Sequence, residues 1–350
     1  MQDIVCGLSA FRYYQTPPAL RALALGYADP ADEAESLMHR VLMREVLPLP
    51  LDVMMREGVQ GDLERPVLVH DMGGDLPDGS IIDTGFGLGV TTPEATLLTM
   101  ASQVCLESLI MAAYELCGTF CSYRPASSMK YALGGSGTVE KLCEGQDGWQ
   151  ALKMRDGHPA PFVMRPALTS PDEIAAYAQR AKGCKGWRVL ARAAEQVAGS
   201  CATPLEARVA IALSAARSIG GQGLRKLACG EDRVTDALGG VVDTDTTMVL
   251  PRAEPLGPVV LDCYPRLTDE GAFTMRPDPD RVRRLERAGC DVVSVRYGSL
   301  RDPFEYRIWV RCVLERAGVR RAPKREEYMV REEHLRQHMM QEWRSAIFTG

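Results

Sequence analysis

The sequence has little that would place it in a membrane, in a disulfide framework or among zinc knuckles. No run of about 18 apolar residues, the length needed to cross a bilayer, is free of charge. The nearest stretch, Ala95 to Cys121, is interrupted by Gln103, Glu107 and Glu115. The opening Met1-Gln2-Asp3-Ile4-Val5-Cys6 has neither the basic start nor the long apolar core of a secretory leader. The expectation is a cytoplasmic protein with no membrane span. The 11 cysteines include no pair at Cys-x-x-Cys spacing, and their number is odd. In a reducing compartment they read as small buried apolar residues. Cys117-Gly118-Thr119-Phe120-Cys121, with Cys105 and Cys143, is the nearest approach to a zinc set; thiols buried on a helix are the favoured reading. There is no tandem repeat and no low-complexity tract. Gly220-Gly221-Gln222-Gly223 follows a helical pattern and lacks the Lys-Ser/Thr of a phosphate loop, so it reads as a turn.

What is present is ordinary for a packed protein: 46% apolar and 25% charged residues. A length of 350 residues suggests two domains. A net charge of −5 argues against a chain that coats nucleic acid with its whole surface. The charge is uneven, however. Residues 276–350 hold 17 Lys+Arg against 12 Asp+Glu, and the remainder holds 24 against 34. A basic final quarter on an acidic body permits a local polyanion site, although mixed-sign runs are commonly solvated helix faces.

The pattern is α/β, read as two domains. Residues 1–121 form a first α/β unit, with helices at Ser9–Tyr14 and Asp32–Val46 and strands at Leu51–Met55, Pro66–His70 and Gly85–Val90. Thr91-Thr92-Pro93-Glu94 then opens a long apolar helix, because it supplies a cap, a first-turn proline and an early acid. Residues 122–200 read as a connection, with 122–156 poor in regular structure and helices beginning at Ser170-Pro171 and Trp187. Residues 201–322 read as a mixed sheet flanked by helices: helix from Thr203, strands at Thr247–Leu250 and Pro258–Cys263, helix Arg281–Ala288 closed by Gly289, strand Asp291–Val295 and helix Pro303–Ala317. Residues 323–350 hold a polar helix, Glu326–Trp343, suited to cover an edge or bind a partner. Its His334 and His338, four apart, read as a solvent-facing pair.

Three acids of the second unit attract chemistry. Asp245 and Asp262 lie on adjacent β runs, and a helix packed on that sheet can add Glu206. Clustered carboxylates hold Mg²⁺, which polarises a phosphodiester and lowers the pKa of bound water. Arg281, Arg283 and Arg284 on the following helix suit phosphate oxygens. Glu206 also completes a capping box with Thr203, which is a sufficient structural reason for it, and Asp243 rivals Asp245.

From Thr203 to about Gly318 the chain resembles endonuclease-like proteins of the PD-(D/E)XK fold, of the very-short-patch-repair type. The pieces are Pro204-Leu205-Glu206, the strand bearing Asp245, Val259-Val260-Leu261-Asp262, and Asp278-Pro279-Asp280-Arg281 leading to Leu285-Glu286-Arg287-Ala288-Gly289 and the strand after it. The resemblance implies a restriction-endonuclease-like fold, DNA as ligand, and Glu206, Asp245 and Asp262 as the catalytic Mg²⁺ ligands. Where that family has Glu-Tyr-Asp-Gly and then a histidine, this chain reads Asp262-Cys263-Tyr264-Pro265, and Tyr264 stands where the wider superfamily has lysine. Losing the group that positions or deprotonates water typically costs about 10²–10⁴-fold in rate. The expectation is therefore either a metal-dependent endonuclease or a degenerate, non-cutting relative.

The first third resembles AbiEi-type antitoxins through Gly7-Leu8-Ser9-Ala10-Phe11-Arg12-Tyr13, Pro66-Val67-Leu68-Val69-His70, and the run from Gly85 through Thr91-Thr92-Pro93-Glu94-Ala95-Thr96-Leu97-Leu98 to Ala101. This resemblance implies a toxin–antitoxin or defence role and a nucleotidyltransferase-like toxin as protein partner. The joining of both halves resembles proteins of gut-dwelling actinobacteria.

Overall fold

The computed structural model describes residues 3–26, 33–54, 66–135, 137–144, 147–154, 157–225, 227–235, 241–252, 256–264, 266–267, 272–274, 278–321, 323 and 325–348. The first region runs β1 (Asp3–Val5), α1 (Gly7–Gln15), α2 (Pro18–Leu25), α3 (Glu33–Val46), β2 (Leu51–Met54), β3 (Val67–His70), β4 (Ile81–Asp83), β5 (Leu88–Thr91), α4 (Pro93–Met100) and α5 (Leu106–Cys117). Its sheet has the order β3-β2-β1-β5-β4. The β1–β5 and β2–β3 pairs are parallel, and β1–β2 and β4–β5 are antiparallel. Helix α4 starts as its sequence predicts: the Thr92 side chain accepts the Ala95 N–H and Pro93 occupies the first turn.

The expected long apolar helix is two helices. After α4 the chain turns at residues 101–105, because the end of α4 is used to hold the start of α1. Thr99 Oγ1 accepts the Gly7 N–H at 2.8 Å, and Gln103 Oε1 accepts the Leu8 N–H at 3.1 Å. Gly7 has φ +57°, and a Cβ there would lie 2.5 Å from the Gln103 amide, so both conformation and space call for glycine.

The 122–156 stretch is more regular than expected. It carries α6 (Ser127–Ala132), α7 (Thr138–Cys143) and β7 (Gln150–Met154), preceded by β6 (Phe120–Cys121). Then come β8 (Pro159–Met164), α8 (Pro171–Arg180) and α9 (Trp187–Ala194). Ser170 caps α8 by accepting the Glu173 N–H at 3.2 Å, and its hydroxyl donates back to the Glu173 carboxylate at 2.9 Å.

The last region holds α10 (Pro204–Ser214), a 3₁₀ turn at Arg217–Ile219, β9 (Ala228–Thr235), β10 (Val241–Leu250), β11 (Val259–Tyr264), β12 (Arg266–Leu267), β13 (Ala272–Thr274), α11 (Pro279–Arg287), β14 (Asp291–Arg296), α12 (Tyr297–Arg301), α13 (Pro303–Arg316), α14 (Glu326–Met340) and α15 (Trp343–Phe348). One mixed sheet has the order β14-β11-β10-β9, antiparallel except for the parallel β11–β14 pair. Asp278 caps α11, and Gly289 closes it at φ +80°. The third sheet, β12-β13-β7-β8-β6, joins strands from both sides of position 200. One core cluster of buried side chains extends from Val5 to Ile347.

The expected Glu326–Trp343 helix also breaks. Helix α14 lies against the Gly220–Gln222 turn, where the Tyr328 hydroxyl donates to the Gly221 carbonyl at 3.0 Å and Gln222 Nε2 donates to Glu332 at 2.6 Å. Helix α15 then turns back onto α5, where Trp343 Nε1 donates to Glu115 at 2.7 Å.

Candidate functional site

Strand β11 is buried along its whole length, so both of its faces are covered. Side chains alternate between the faces of a strand. Val259, Leu261 and Cys263 join the main core, which includes much of α10, whereas Val260 packs with Leu285, Ala288 and Cys290 around α11. Asp262 shares the α11 face. It is 1% exposed, and Arg281, 3% exposed, reaches it from the first turn of α11. The Arg281 guanidinium donates to Asp262 Oδ1, and the Tyr264 hydroxyl donates to Asp262 Oδ2. The Tyr264 oxygen in turn accepts the Asp278 N–H at 3.2 Å. Burial first, and then the bond to Asp262, push the Tyr264 phenol up, so it stays a neutral donor.

Glu206 is placed otherwise. It sits in the first turn of α10, where its N–H donates to Thr203 Oγ1 at 3.2 Å and its carboxylate accepts the Ala202 N–H at 2.7 Å. The Thr203 bond is the capping role open to it from sequence, while the carboxylate takes the N–H one residue before the cap instead of the cap's own. Its charge adds to burial in raising the Cys263 thiol, on the β11 face opposite Asp262. The structure thus brings Asp262 to Arg281 and does not bring Glu206 onto the Asp262 face. Asp245 lies within β10, and its side chain is outside the described residues. Arg283 and Arg284 are exposed on α11, with Arg283 2.9 Å from Asp280.

Mg²⁺ prefers a shell of free oxygen donors. Both Asp262 oxygens already accept from Arg281 and Tyr264, so a divalent cation at Asp262 would have to displace a buried guanidinium. Asp262 as arranged does not fit a metal ion, and no metal-dependent step follows from it.

A second polar group went unnoticed in the sequence. Asp52, in β2, is 4% exposed. Its Oδ2 accepts the Ser9 N–H at 3.1 Å and the Ser9 hydroxyl at 3.0 Å, and its Oδ1 accepts from Gln103 Nε2 at 2.9 Å. His70 Nε2, on β3, lies 2.7 Å from the same Oδ1. Together they form the floor of a cleft of about 720 Å³, with Leu49, Leu68 and Phe348 on its walls and Arg124 and Arg344 among its lining. An acid between Leu51 and Val53 on a strand was the available signal, since an aspartate there needs several donors. Asp52→Ala orphans the Ser9 N–H and hydroxyl donors, while the Gln103 amide keeps His70 as a partner, and is expected to lower stability by about 2 kcal/mol in chemical denaturation. A wild-type midpoint would show that the group is solvated rather than structural.

The zinc alternative for the cysteines gains nothing. Cys117, Cys121 and Cys143 are buried, and burial pushes each thiol up to about 12. The His334–His338 pair is half as expected: His334 is exposed, but His338 is buried beside Cys105 and Ser108. No protein-family model matches the chain, and no curated protein and no solved structure does so either.

Proposed function

We propose that this is a DNA-binding protein of a defence or toxin–antitoxin type whose last region has an endonuclease-like fold and does not cut. The element order α10, β9, β10, β11, α11, β14, with β14 parallel to β11, supports the fold reading. The observation that carries the non-cutting reading is the buried Asp262–Arg281–Tyr264 group. The acid that would face a metal is neutralised by a guanidinium, and tyrosine occupies the place of the lysine that would act on water. Arg283 and Arg284 remain on the exposed side of α11 as phosphate contacts.

Incubation of the purified chain with plasmid and single-stranded DNA, in Mg²⁺, in Mn²⁺ and in chelator, tests this. The expected result is retention without metal-dependent nicking. The Arg283→Ala/Arg284→Ala variant is expected to weaken retention and reduce the salt slope by about 2, one for each lost phosphate contact. Nicking that requires metal and disappears in Asp262→Asn would overturn the non-cutting reading. Absence of retention at low salt would overturn DNA binding.

A second reading, a non-enzymatic regulator that binds a nucleotidyltransferase-like toxin, draws on a different observation. The edge strands of the first sheet expose apolar side chains, Leu68 and Val69 on β3 and Ile81 and Ile82 on β4, at 37–50% each. Exposed apolar edges are protein-docking surfaces or liabilities. Co-purification with the product of a neighbouring gene, lost in Ile82→Lys, is the expected result; no co-purifying protein would count against this reading.

A further inference from the structure

Among the cysteines, one differs in its surroundings. Cys105 is the N-cap residue of α5 and is half-buried. Its sulfur lies 3.2 Å from Ser108 Oγ and 4.0 Å from His338 Nε2, a residue 233 positions away on α14. Ser108 Oγ is also 3.1 Å from His338 Nε2 and donates its proton to the Ala346 carbonyl at 2.5 Å. A carbonyl can only accept, so the single hydroxyl proton is committed there. Ser108 Oγ must then accept from His338, which places a proton on Nε2. That N–H faces the Cys105 sulfur as well as the serine. The thiol therefore sits at a helix N-terminus, where N–H groups favour negative charge, with an imidazole donor beside it.

We propose that Cys105 is a nucleophilic thiol, held ready by His338 and Ser108, and that it is the site at which this protein reacts with peroxides. In the reaction the sulfur attacks one oxygen of hydrogen peroxide. An S–O bond forms as the O–O bond breaks, and sulfur is oxidised by two electrons while the peroxide is reduced. The departing hydroxide takes up the thiol proton, leaving a sulfenic acid and one water. Burial alone would raise the Cys105 thiol; the hydrogen bond from His338 and the backbone N–H of Ser108 outweigh it and hold the thiol below its ordinary value. The groups acting on the sulfur are His338 from α14 and Ser108 from α5. Cys229 and Cys312 share its half-buried state, and neither has an imidazole at hydrogen-bond distance among the described residues. Cys312 has the Arg316 guanidinium beside it and Cys229 the buried Cys201, so they test whether the imidazole does more than those neighbours.

The test exposes the full-length chain to a brief, limiting dose of hydrogen peroxide with dimedone, which traps sulfenic acids. Occupancy at each cysteine is read by peptide mass spectrometry and normalised to labelling in urea. At pH 7 Cys105 is expected to label several-fold faster than Cys312 and Cys229, an advantage that urea abolishes. His338→Gln is expected to slow Cys105 several-fold and leave Cys312 unchanged. Labelling of Cys105 no faster than Cys312 would overturn the proposal, as would an unaltered Cys105 rate in a folded His338→Gln protein. Should that variant not fold, the pH profile of iodoacetamide alkylation in the unsubstituted chain decides: a Cys105 midpoint below that of Cys312 supports the proposal, and an equal or higher one overturns it.

Discussion

Arg281→Met is expected to lower the unfolding free energy by about 3–5 kcal/mol, read as a shift in urea midpoint at constant slope. Asp262 is 1% exposed, and its pairing with Arg281 is what makes a buried carboxylate tolerable. Removing the cation leaves a charge in a low-dielectric site with Tyr264 as its neutral donor among the described residues. Removing both charges is a different matter, since apolar replacements of buried ion pairs are often neutral or better. The Asp262→Leu/Arg281→Met double variant is therefore expected to recover most of the loss. A double variant as unstable as the single one would mean that Arg281 is held chiefly by other partners. The same cycle bears on function. If the pair is a structural unit, the double variant keeps DNA retention while losing every feature of a metal site.

The second large effect is at Glu115. This carboxylate is fully buried on α5. It accepts from Gln15 Nε2 at 3.0 Å, from the Ser122 N–H at 2.9 Å, from the Ser122 hydroxyl at 3.0 Å and from Trp343 Nε1 at 2.7 Å. Those donors come from α1, from the chain just after β6 and from α15, so one side chain ties three parts of the sequence together. Bonds to an ionised group contribute about 1.5–3 kcal/mol each, and stranded donors add a penalty. Glu115→Ala is expected to cost about 3 kcal/mol or more. Trp343 fluorescence should report release of α15 before or with global unfolding. Melting and Trp343 emission unchanged from the parent would show that water can replace the carboxylate.

Local chemistry was readable at the helix starts. Thr92, Ser170 and Thr203 each cap the helix expected of them, because a cap needs only a side-chain oxygen and N–H groups two or three residues on. Asp278 caps α11, which begins at Pro279, two residues before the expected start at Arg281. The strands β11 and β14 are readable from their apolar runs; β11 is buried throughout, whereas β14 is buried only at Val293 and Val295. Asp262, ending the first run, reads as an acid where a sheet surfaces, and the structure instead buries it at 1% exposure. The role of that acid was not readable. Arg281 follows it by 19 residues, and only the packing of α11 on the even-numbered face of β11 joins the two. The break between α4 and α5 was missed because Gln103 is used against Leu8 and Asp52, not against its own helix. The inward turn of His338 was missed for the same reason: its partners, Cys105 and Ser108, belong to α5.

By itself, then, the sequence determined the α/β class, the helix caps and the apolar strands, and the fate of cysteines such as Cys117 and Cys121. All of these depend on interactions within a few residues or on average hydrophobicity. Tertiary structure decided which charges meet. Asp262 with Arg281, Asp52 with Ser9, His70 and Gln103, Glu115 with Gln15 and Trp343, and Cys105 with His338 are pairings across 18 to 233 residues. A buried polar group must find its partner wherever the packed chain brings one, and spacing along the sequence carries no record of that choice.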